Sequence, residues 1–189
     1  MLDFGYFLRM YFLANQSKGK KKDGDLFDDY IVHGQCWLND LDFNWHMNNS
    51  RYLRECDFGR ISLLIETGLW RALLERRNTN MKDAGLLASA LQVQYRQSIE
   101  LGDKFQIVTR LHGWDDRAFY FEQLIILEKN KQTAFSVLVR MALTPRDFTP
   151  QMLVDDLQRG SIQSPKFSPN VQIFADNYKL NLRPLKSKL

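Results

Sequence analysis

The strongest pattern in the sequence is an alternation of apolar and polar residues in its second half. Alternation with a period of two is typical of half-buried β-strands, because successive side chains point to opposite faces of a sheet. Four runs share this pattern: residues 87–98, 103–113, 118–128 and 132–143. Residues 30–38, with Ile31, Val32 and Trp37, add an earlier strand. Short connections between the consecutive runs predict an antiparallel sheet.

Residues 50–67 show a different period, with apolar or small residues at helical spacing. Asn48 or Asn49 is a suitable N-cap, because its side-chain oxygen accepts a backbone N–H that lacks a partner in the helix. Gly68 is a natural stop. Gly59 lowers helix propensity, which suggests that a sheet approaches the helix closely at this residue.

These elements predict an α+β fold in which one long helix lies in the concave face of a curved antiparallel sheet. The predicted domain covers residues 26–147. Residues 148–189 form a C-terminal extension with a short helix near 152–159. Because the last thirty residues contain three prolines, we expect an extended, weakly packed tail beyond residue 160.

Residues 1–14 are rich in Phe, Tyr and Leu, but this segment is too short to span a membrane unaided. A lysine-rich linker follows it, so that residues 1–25 form an N-terminal segment of their own. Aromatic residues beside lysines suit a membrane surface. The alternative, equally compatible with the sequence, is a helix that docks on its own domain. Localisation therefore stays open between a membrane of the endoplasmic reticulum or secretory pathway and the cytoplasm.

The net charge of +4 does not indicate a nucleic-acid-binding protein. Eight of the 26 basic residues lie in two peripheral stretches. The rest of the chain contains 18 basic and 22 acidic residues and so has a net charge of −4. A DNA-binding domain usually carries its positive charge on the folded face. The basic stretches are Lys18 to Lys22 and Lys179 to Lys188.

Two cysteines exclude a disulfide-rich scaffold and a four-cysteine zinc site. Cys56 lies on the apolar stripe of the predicted helix and is expected to be a packing residue. No pair of His or Cys residues has the spacing of a zinc site, so we expect no metal.

The densest polar cluster, residues 40–49, comes directly before the predicted helix. The first turn of a helix presents unpaired N–H groups and the positive end of its dipole. Such donors stabilise a carbonyl oxygen that becomes negatively charged, and a nearby carboxylate such as Asp42 can act as general base or nucleophile. Capping and loop formation are the simpler roles for the same residues.

A specific motif favours the catalytic role. The cluster contains the pattern Asp40-x-Asp42-x-x-x-His46-Met47-Asn48-Asn49-x-x-Tyr52. This pattern resembles the signature of the hotdog-fold thioesterases of the 4-hydroxybenzoyl-CoA type. Two further stretches, 95–103 and 113–120, strengthen the resemblance, which covers roughly residues 30–145 and is closest to an animal branch of the family.

The resemblance implies a hotdog fold, a homodimer whose two sheets pair, and acyl-CoA thioester hydrolysis at the subunit interface without a metal or other cofactor. By position, Asp42 corresponds to the catalytic carboxylate. The substrate-binding positions correspond to His46, Asn48, Asn49 and Tyr52.

One departure from the family pattern concerns the residue before His46. The family usually has glycine there, and this chain has Trp45. Glycine permits positive φ and close approach of a ligand to the backbone, so an indole at this position puts turnover in question. Two alternatives therefore remain beside the enzyme: a hotdog domain that binds acyl-CoA or lipid without turnover, and a membrane-tethered interaction protein.

Overall fold

The computed structural model describes residues 4–16 and 24–181, which form an α+β fold. The strands are β1 (Tyr30–Gln35), β2 (Gly85–Tyr95), β3 (Lys104–Trp114), β4 (Ala118–Leu127) and β5 (Thr133–Thr144). They form one sheet in the order β1-β3-β4-β5-β2, and every neighbouring pair is antiparallel. The predicted antiparallel sheet is therefore confirmed, with β1 and β2 at its two edges.

Within the described residues, five α-helices accompany the sheet. They are α1 (Phe4–Gln16), α2 (Asn49–Glu66), α3 (Leu69–Thr79), α4 (Pro150–Asp155) and α5 (Pro169–Asn181). A short 3-10 helix, Leu38–Asp40, lies between β1 and α2. None of the helices in the described part of the chain is long and apolar enough to cross a membrane.

Helix α2 begins and ends as its sequence predicts. The Asn48 side chain accepts a hydrogen bond from the Ser50 backbone N–H at 2.9 Å, and Gly68 takes a φ of 83° directly after the C-cap. The helix packs against β1, β3 and β4. Its buried side chains, among them Cys56 and Leu63, join the main hydrophobic core.

The sheet does approach α2 closely at Gly59. A Cβ atom at this position would lie 2.9 Å from Gln123 Nε2, and it would also collide with the Thr109 hydroxyl. The Gln123 amide donates to the Cys56 carbonyl and to Thr109 Oγ1. A buried polar network therefore joins helix and sheet where glycine leaves room for it.

The expectation of an extended tail beyond residue 160 is wrong for residues 169–181, which form α5. Its residues Val171, Phe174 and Ala175 are buried against Ala118 and Tyr120 of β4. These β4 side chains alternate with Phe119 and Phe121 of the main core, so α5 covers the sheet face opposite α2. Proline at the first helical position is compatible with a helix start, because the missing N–H has no helical partner there.

Candidate functional site

The loop before α2 is a tight, internally hydrogen-bonded turn. The Asp42 N–H donates to the His46 carbonyl at 2.9 Å, and the Trp45 N–H donates to the Asp42 carbonyl at 3.2 Å. The Asp42 side chain accepts the Asn44 N–H at 2.8 Å. These bonds place Asp42 and His46 opposite each other at the base of the turn, with Phe43 and Trp45 at its tip.

Trp45 occupies the left-handed region of backbone space, with a φ of 62°. Glycine adopts this conformation without steric cost, whereas a bulky residue does not. The backbone at Trp45 therefore has the conformation that glycine favours. The indole is 75% exposed and is not among the residues that line the pocket described below.

Asp42 and His46 lie within ion-pair distance of each other. The distance between His46 Nδ1 and Asp42 Oδ2 is 3.7 Å, and their side chains are 34% and 18% exposed, respectively. That separation is too long for a hydrogen bond. Both side chains are partly exposed, and hydrogen bonds within the turn hold the backbone that carries them.

The two asparagines at the start of α2 have different roles. Asn48 is the N-cap, and its side-chain oxygen accepts from both the backbone N–H and the hydroxyl of Ser50. The Arg51 N–H donates to the Asn48 carbonyl at 2.8 Å. Asn49, by contrast, lines a pocket together with His46 and Tyr52. Of the predicted substrate-binding residues, Asn48 is thus committed to the helix end.

This small pocket has a volume of about 220 Å³ and lies where the end of β2 meets the start of α2. Its lining residues are His46, Asn49, Tyr52, Tyr95, Arg96, Gln97 and Ser98. Three of the five predicted site residues therefore line it. Asp42 does not, although its carboxylate lies 3.7 Å from His46 Nδ1.

Two tyrosines hold the walls of the small pocket together. The Tyr95 hydroxyl donates to the Asn49 carbonyl at 3.1 Å, and the Tyr52 hydroxyl accepts the Ile99 N–H at 3.1 Å. Their rings pack edge to face, 5.3 Å apart. Burial raises the pKa of both hydroxyl groups, so they remain protonated donors near neutral pH.

The role of Tyr95 is not visible in the sequence, because its partner Asn49 lies 46 residues away. In the sequence Tyr95 fits an apolar sheet face, and Gln97 carries no signal at all. The stretch 95–103 is recognisable as a motif in the sequence, but only the fold brings it against His46.

A buried network of charged side chains lies beside the site. Asp40 and Glu55 are almost fully buried, and Arg54 donates to both, at 2.5 Å and 2.9 Å. Arg9 of α1 completes the network with a 2.7 Å bond to Glu55. A larger, mostly polar cleft of about 640 Å³ lies between α1, β1 and α2, and these charged residues line it. We call it the α1 cleft.

The cysteines are packing residues. Cys36 and Cys56 are both free and buried. Burial raises the pKa of the Cys56 thiol to about 12, so that it is not a reactive thiolate. Among residues 4–16 and 24–181, no group of three or more His, Cys, Asp or Glu side chains is placed to hold a metal ion.

Comparison with known sequences points to one family. The sequence profile of the thioesterase-like superfamily matches residues 36–170. Protein THEM6 of Danio rerio is 32% identical over 170 residues, which cover 90% of this chain and 80% of that protein. Protein THEM6 of Xenopus laevis is 30% identical over 171 residues, covering 90% and 79%.

Solved structures share the fold at lower identity. A 1,4-dihydroxy-2-naphthoyl-CoA thioesterase from Synechocystis superposes with a TM-score of 0.57 at 14% identity, covering 71% of this chain and 99% of that one. A probable thioesterase from Bartonella henselae gives 0.56 at 18% identity, covering 64% and 94%. Since the profile spans most of the chain and relatives reach about a third identity, this protein belongs to the thioesterase-like superfamily.

Proposed function

We propose that this protein hydrolyses acyl-CoA thioesters at the small pocket, with Asp42 as the catalytic carboxylate. Membership of the thioesterase-like superfamily supports thioester hydrolysis in general. The observation that carries the assignment to Asp42 is its distance of 3.7 Å from His46, which lines the pocket beside Asn49 and Tyr52.

The thioester carbonyl would point its oxygen at the first turn of α2. Amides at a helix N-terminus stabilise the negative charge that develops on this oxygen. The Ser50 and Arg51 amides already donate to Asn48. We therefore assign the main oxyanion contact to the backbone N–H of Asn49. The Tyr95 hydroxyl fixes this residue by donating a hydrogen bond to its backbone carbonyl.

Asp42 acts in one of two ways. As general base it takes a proton from water, whose oxygen then adds to the thioester carbon. As nucleophile its carboxylate adds to that carbon directly, and water later cleaves the resulting anhydride. In both routes the C–S bond breaks, the acyl group leaves as a carboxylic acid, and the CoA sulfur is released as a thiol once protonated. His46 orients the turn in either route.

The substrate class rests on the family. The Synechocystis neighbour bears the name of an aryl-CoA thioesterase, and another neighbour that of a gentisyl-coenzyme A thioesterase. These names support a CoA thioester as the substrate here. The acyl group is the part that differs between them.

We further propose a homodimer formed by β2. This edge strand has eleven residues, and Leu87, Leu91 and Tyr95 on it are 59%, 44% and 42% exposed. A long apolar edge strand is normally covered. The small pocket lies at the end of β2, and its 220 Å³ is below the roughly 300–1,000 Å³ of small-molecule sites. A second sheet paired along β2 would enlarge it.

The hotdog arrangement gives α2 the role of the central helix. In this proposal the sheet curves around α2, whose N-terminus then faces the dimer interface. The buried network around Gly59 and Gln123 supports a fixed position of the helix on the sheet.

The alternative is a hotdog domain that binds acyl-CoA or lipid without turnover. Two observations favour it: Trp45 stands where the family usually has glycine, and Asp42 does not line the small pocket. Binding and hydrolysis are separable experimentally.

The test uses a panel of acyl-CoAs with short, long and aromatic acyl groups and their thioether analogues, which bind without being cleaved. Thiol release measures turnover, and calorimetry with the thioethers measures binding. We expect both for at least one acyl class. Micromolar thioether binding without thiol release from any substrate would contradict the enzymatic function and support the non-catalytic binding function.

A further inference from the structure

Helix α1 has its side chains arranged in the reverse of an ordinary surface helix. Of its described side chains, Tyr6, Arg9 and Met10 are half-buried toward α2. The outward-facing ones are Phe7, Leu8, Tyr11 and Phe12, which are 54%, 44%, 64% and 56% exposed. The described charge of this helix thus points inward, and its exposed face is apolar, whereas a solvated helix has the opposite arrangement.

The inward face is held by specific contacts. Arg9 Nη1 donates to Glu55 at 2.7 Å, where Glu55 is only 3% exposed. The Arg9 guanidinium also lies 4.0 Å from the centre of the Phe58 ring, and the Tyr6 ring packs on the same phenyl group at 5.4 Å. A partly buried charge held between a carboxylate and an aromatic ring fixes the rotation of the helix. Because these contacts hold the inward face on α2, the apolar face of α1 points outward.

We propose that this outward face of α1 lies on an anionic phospholipid membrane while Arg9 keeps the helix docked on α2. Aromatic and aliphatic side chains on one face suit the boundary between headgroups and acyl chains. Lys18, Lys20, Lys21 and Lys22 follow α1 in the sequence. Lysines next to an interfacial helix are attracted to anionic headgroups, which supplies the complementary charge.

The size of the face favours a membrane over a second protein chain. Four side chains of about 150–250 Å² each, exposed by about half, offer roughly 400 Å². A stable protein interface needs about 800 Å² from each partner. A lipid surface imposes neither this area nor shape complementarity.

Two further apolar side chains are exposed near the α1 cleft. Trp37 lines this cleft together with Tyr6 and Arg9 and is 60% exposed, and its neighbour Leu38 is 70% exposed. Tryptophan is the residue most typical of membrane interfaces. A docked α1 would orient the whole domain on the membrane, which a flexible tether alone does not do.

The test is vesicle co-sedimentation of the full chain with phosphatidylcholine alone and with about one third phosphatidylserine. The outward variant is Phe7→Ser with Phe12→Ser. Its matched control is Ile173→Ser with Leu180→Ser, two α5 residues that are 58% and 57% exposed. A third variant replaces the four lysines with glutamine. Circular dichroism and mass in solution are measured for each.

We expect the wild type to bind the phosphatidylserine vesicles, the outward variant to bind at least about tenfold more weakly, and the control to bind as the wild type does. The lysine variant should lose the preference for phosphatidylserine. No binding by the wild type, or equal binding by the outward variant, overturns the proposal. A variant that instead changes mass in solution overturns it in favour of a second copy on this face.

Hydrogen exchange on the vesicles tests the docked state. Amides of α2 near Glu55 and Phe58 should keep their protection when the protein binds lipid. Loss of protection there would show that α1 leaves α2, which contradicts the docked arrangement. Since neither readout involves thioester hydrolysis, the proposal and the enzymatic one can fail separately.

Discussion

At the scale of single residues, Trp45 combines a backbone conformation typical of glycine with a large aromatic side chain. A non-glycine residue in the left-handed region costs about 1 kcal/mol, and Trp45 has this conformation with a φ of 62°. Its indole is 75% exposed, so few contacts within the chain offset that cost. Strain of this kind is often kept at functional sites.

Replacing Trp45 with glycine should therefore leave the free energy of unfolding unchanged or raise it by up to about 1 kcal/mol, because relief of strain opposes the added chain entropy. The matched control is Trp37→Gly, since Trp37 is 60% exposed but has a φ of −111°. This control should lose about 0.5–1 kcal/mol. Urea denaturation measures both. A Trp45→Gly variant that is destabilised as much as the control would show that the backbone strain is not relieved.

The residues of the site were predictable only in part. Asp42, His46 and the capping asparagine belong to one short motif, so local sequence points to them. Tyr95 and Gln97 join them through contacts across about 45 residues, and no local pattern carries that information. The division of roles between Asn48 and Asn49 is likewise set by which side chain turns back to cap the helix.

At the scale of elements, the contact between α2 and the sheet depends on Gly59. Gly59→Ala should lower the free energy of unfolding by about 1–2 kcal/mol. The added methyl group would collide with Thr109 and with Gln123 Nε2 at 2.9 Å, and the gain of about 1 kcal/mol in helix propensity offsets only part of that cost.

Chemical denaturation measures this change. The control is Ser62→Ala, a half-buried position on the same helix, which should change stability by less than about 0.5 kcal/mol. Unchanged or increased stability of Gly59→Ala would mean that the helix can shift away from the sheet at little cost.

A second element-scale prediction concerns acid. A hydrogen bond from His112 at 3.2 Å, helped by Arg110, lowers the pKa of the Glu122 carboxyl below its usual value. A lowered pKa in the folded state means that this carboxylate stabilises the fold above its unfolded pKa, and that the contribution is lost as pH falls. Glu122 is about one third exposed, so the contribution is below about 1 kcal/mol.

The difference in unfolding free energy between wild type and Glu122→Gln should therefore be present at about pH 6 and shrink by about pH 3. Urea denaturation at both pH values, followed by circular dichroism, gives the difference, and titration of other carboxylates cancels in it. A difference that grows on acidification would contradict the direction of the pKa shift.

The elements themselves were mostly predictable. The strands and α2 follow period-two and helical patterns that end at recognisable residues such as Gly68. Helix α5 is not predictable in the same way, because Pro165 and Pro169 favour an extended chain and because its apolar residues are buried only by the outer face of β4.

At the scale of the whole molecule, the two edges of the sheet differ. Leu87→Lys with Leu91→Lys on β2 should convert the proposed dimer to a monomer, because lysines block pairing of edge strands. Thiol release should fall at least about tenfold with it, since the small pocket opens at that edge. The matched control is Ile31→Lys on the opposite edge strand β1, where Ile31 is 52% exposed.

Light scattering during size-exclusion chromatography measures the mass of each variant. The control should remain dimeric and active. A monomeric wild type, or a β2 variant that stays dimeric, would show that β2 does not form a dimer interface. The small pocket would then not be completed by a second sheet paired along β2.

The central claim is that Asp42 carries out thioester hydrolysis, and its most direct test is thiol release by Asp42→Asn with the best substrate of the panel. Asp116→Asn is the control, because Asp116 lies in the turn between β3 and β4, away from the small pocket. We predict a loss of at least about a hundredfold in kcat for Asp42→Asn, on the order of 3 kcal/mol of barrier, with thioether binding retained and the control unchanged. Equal rates for wild type and Asp42→Asn would contradict the account.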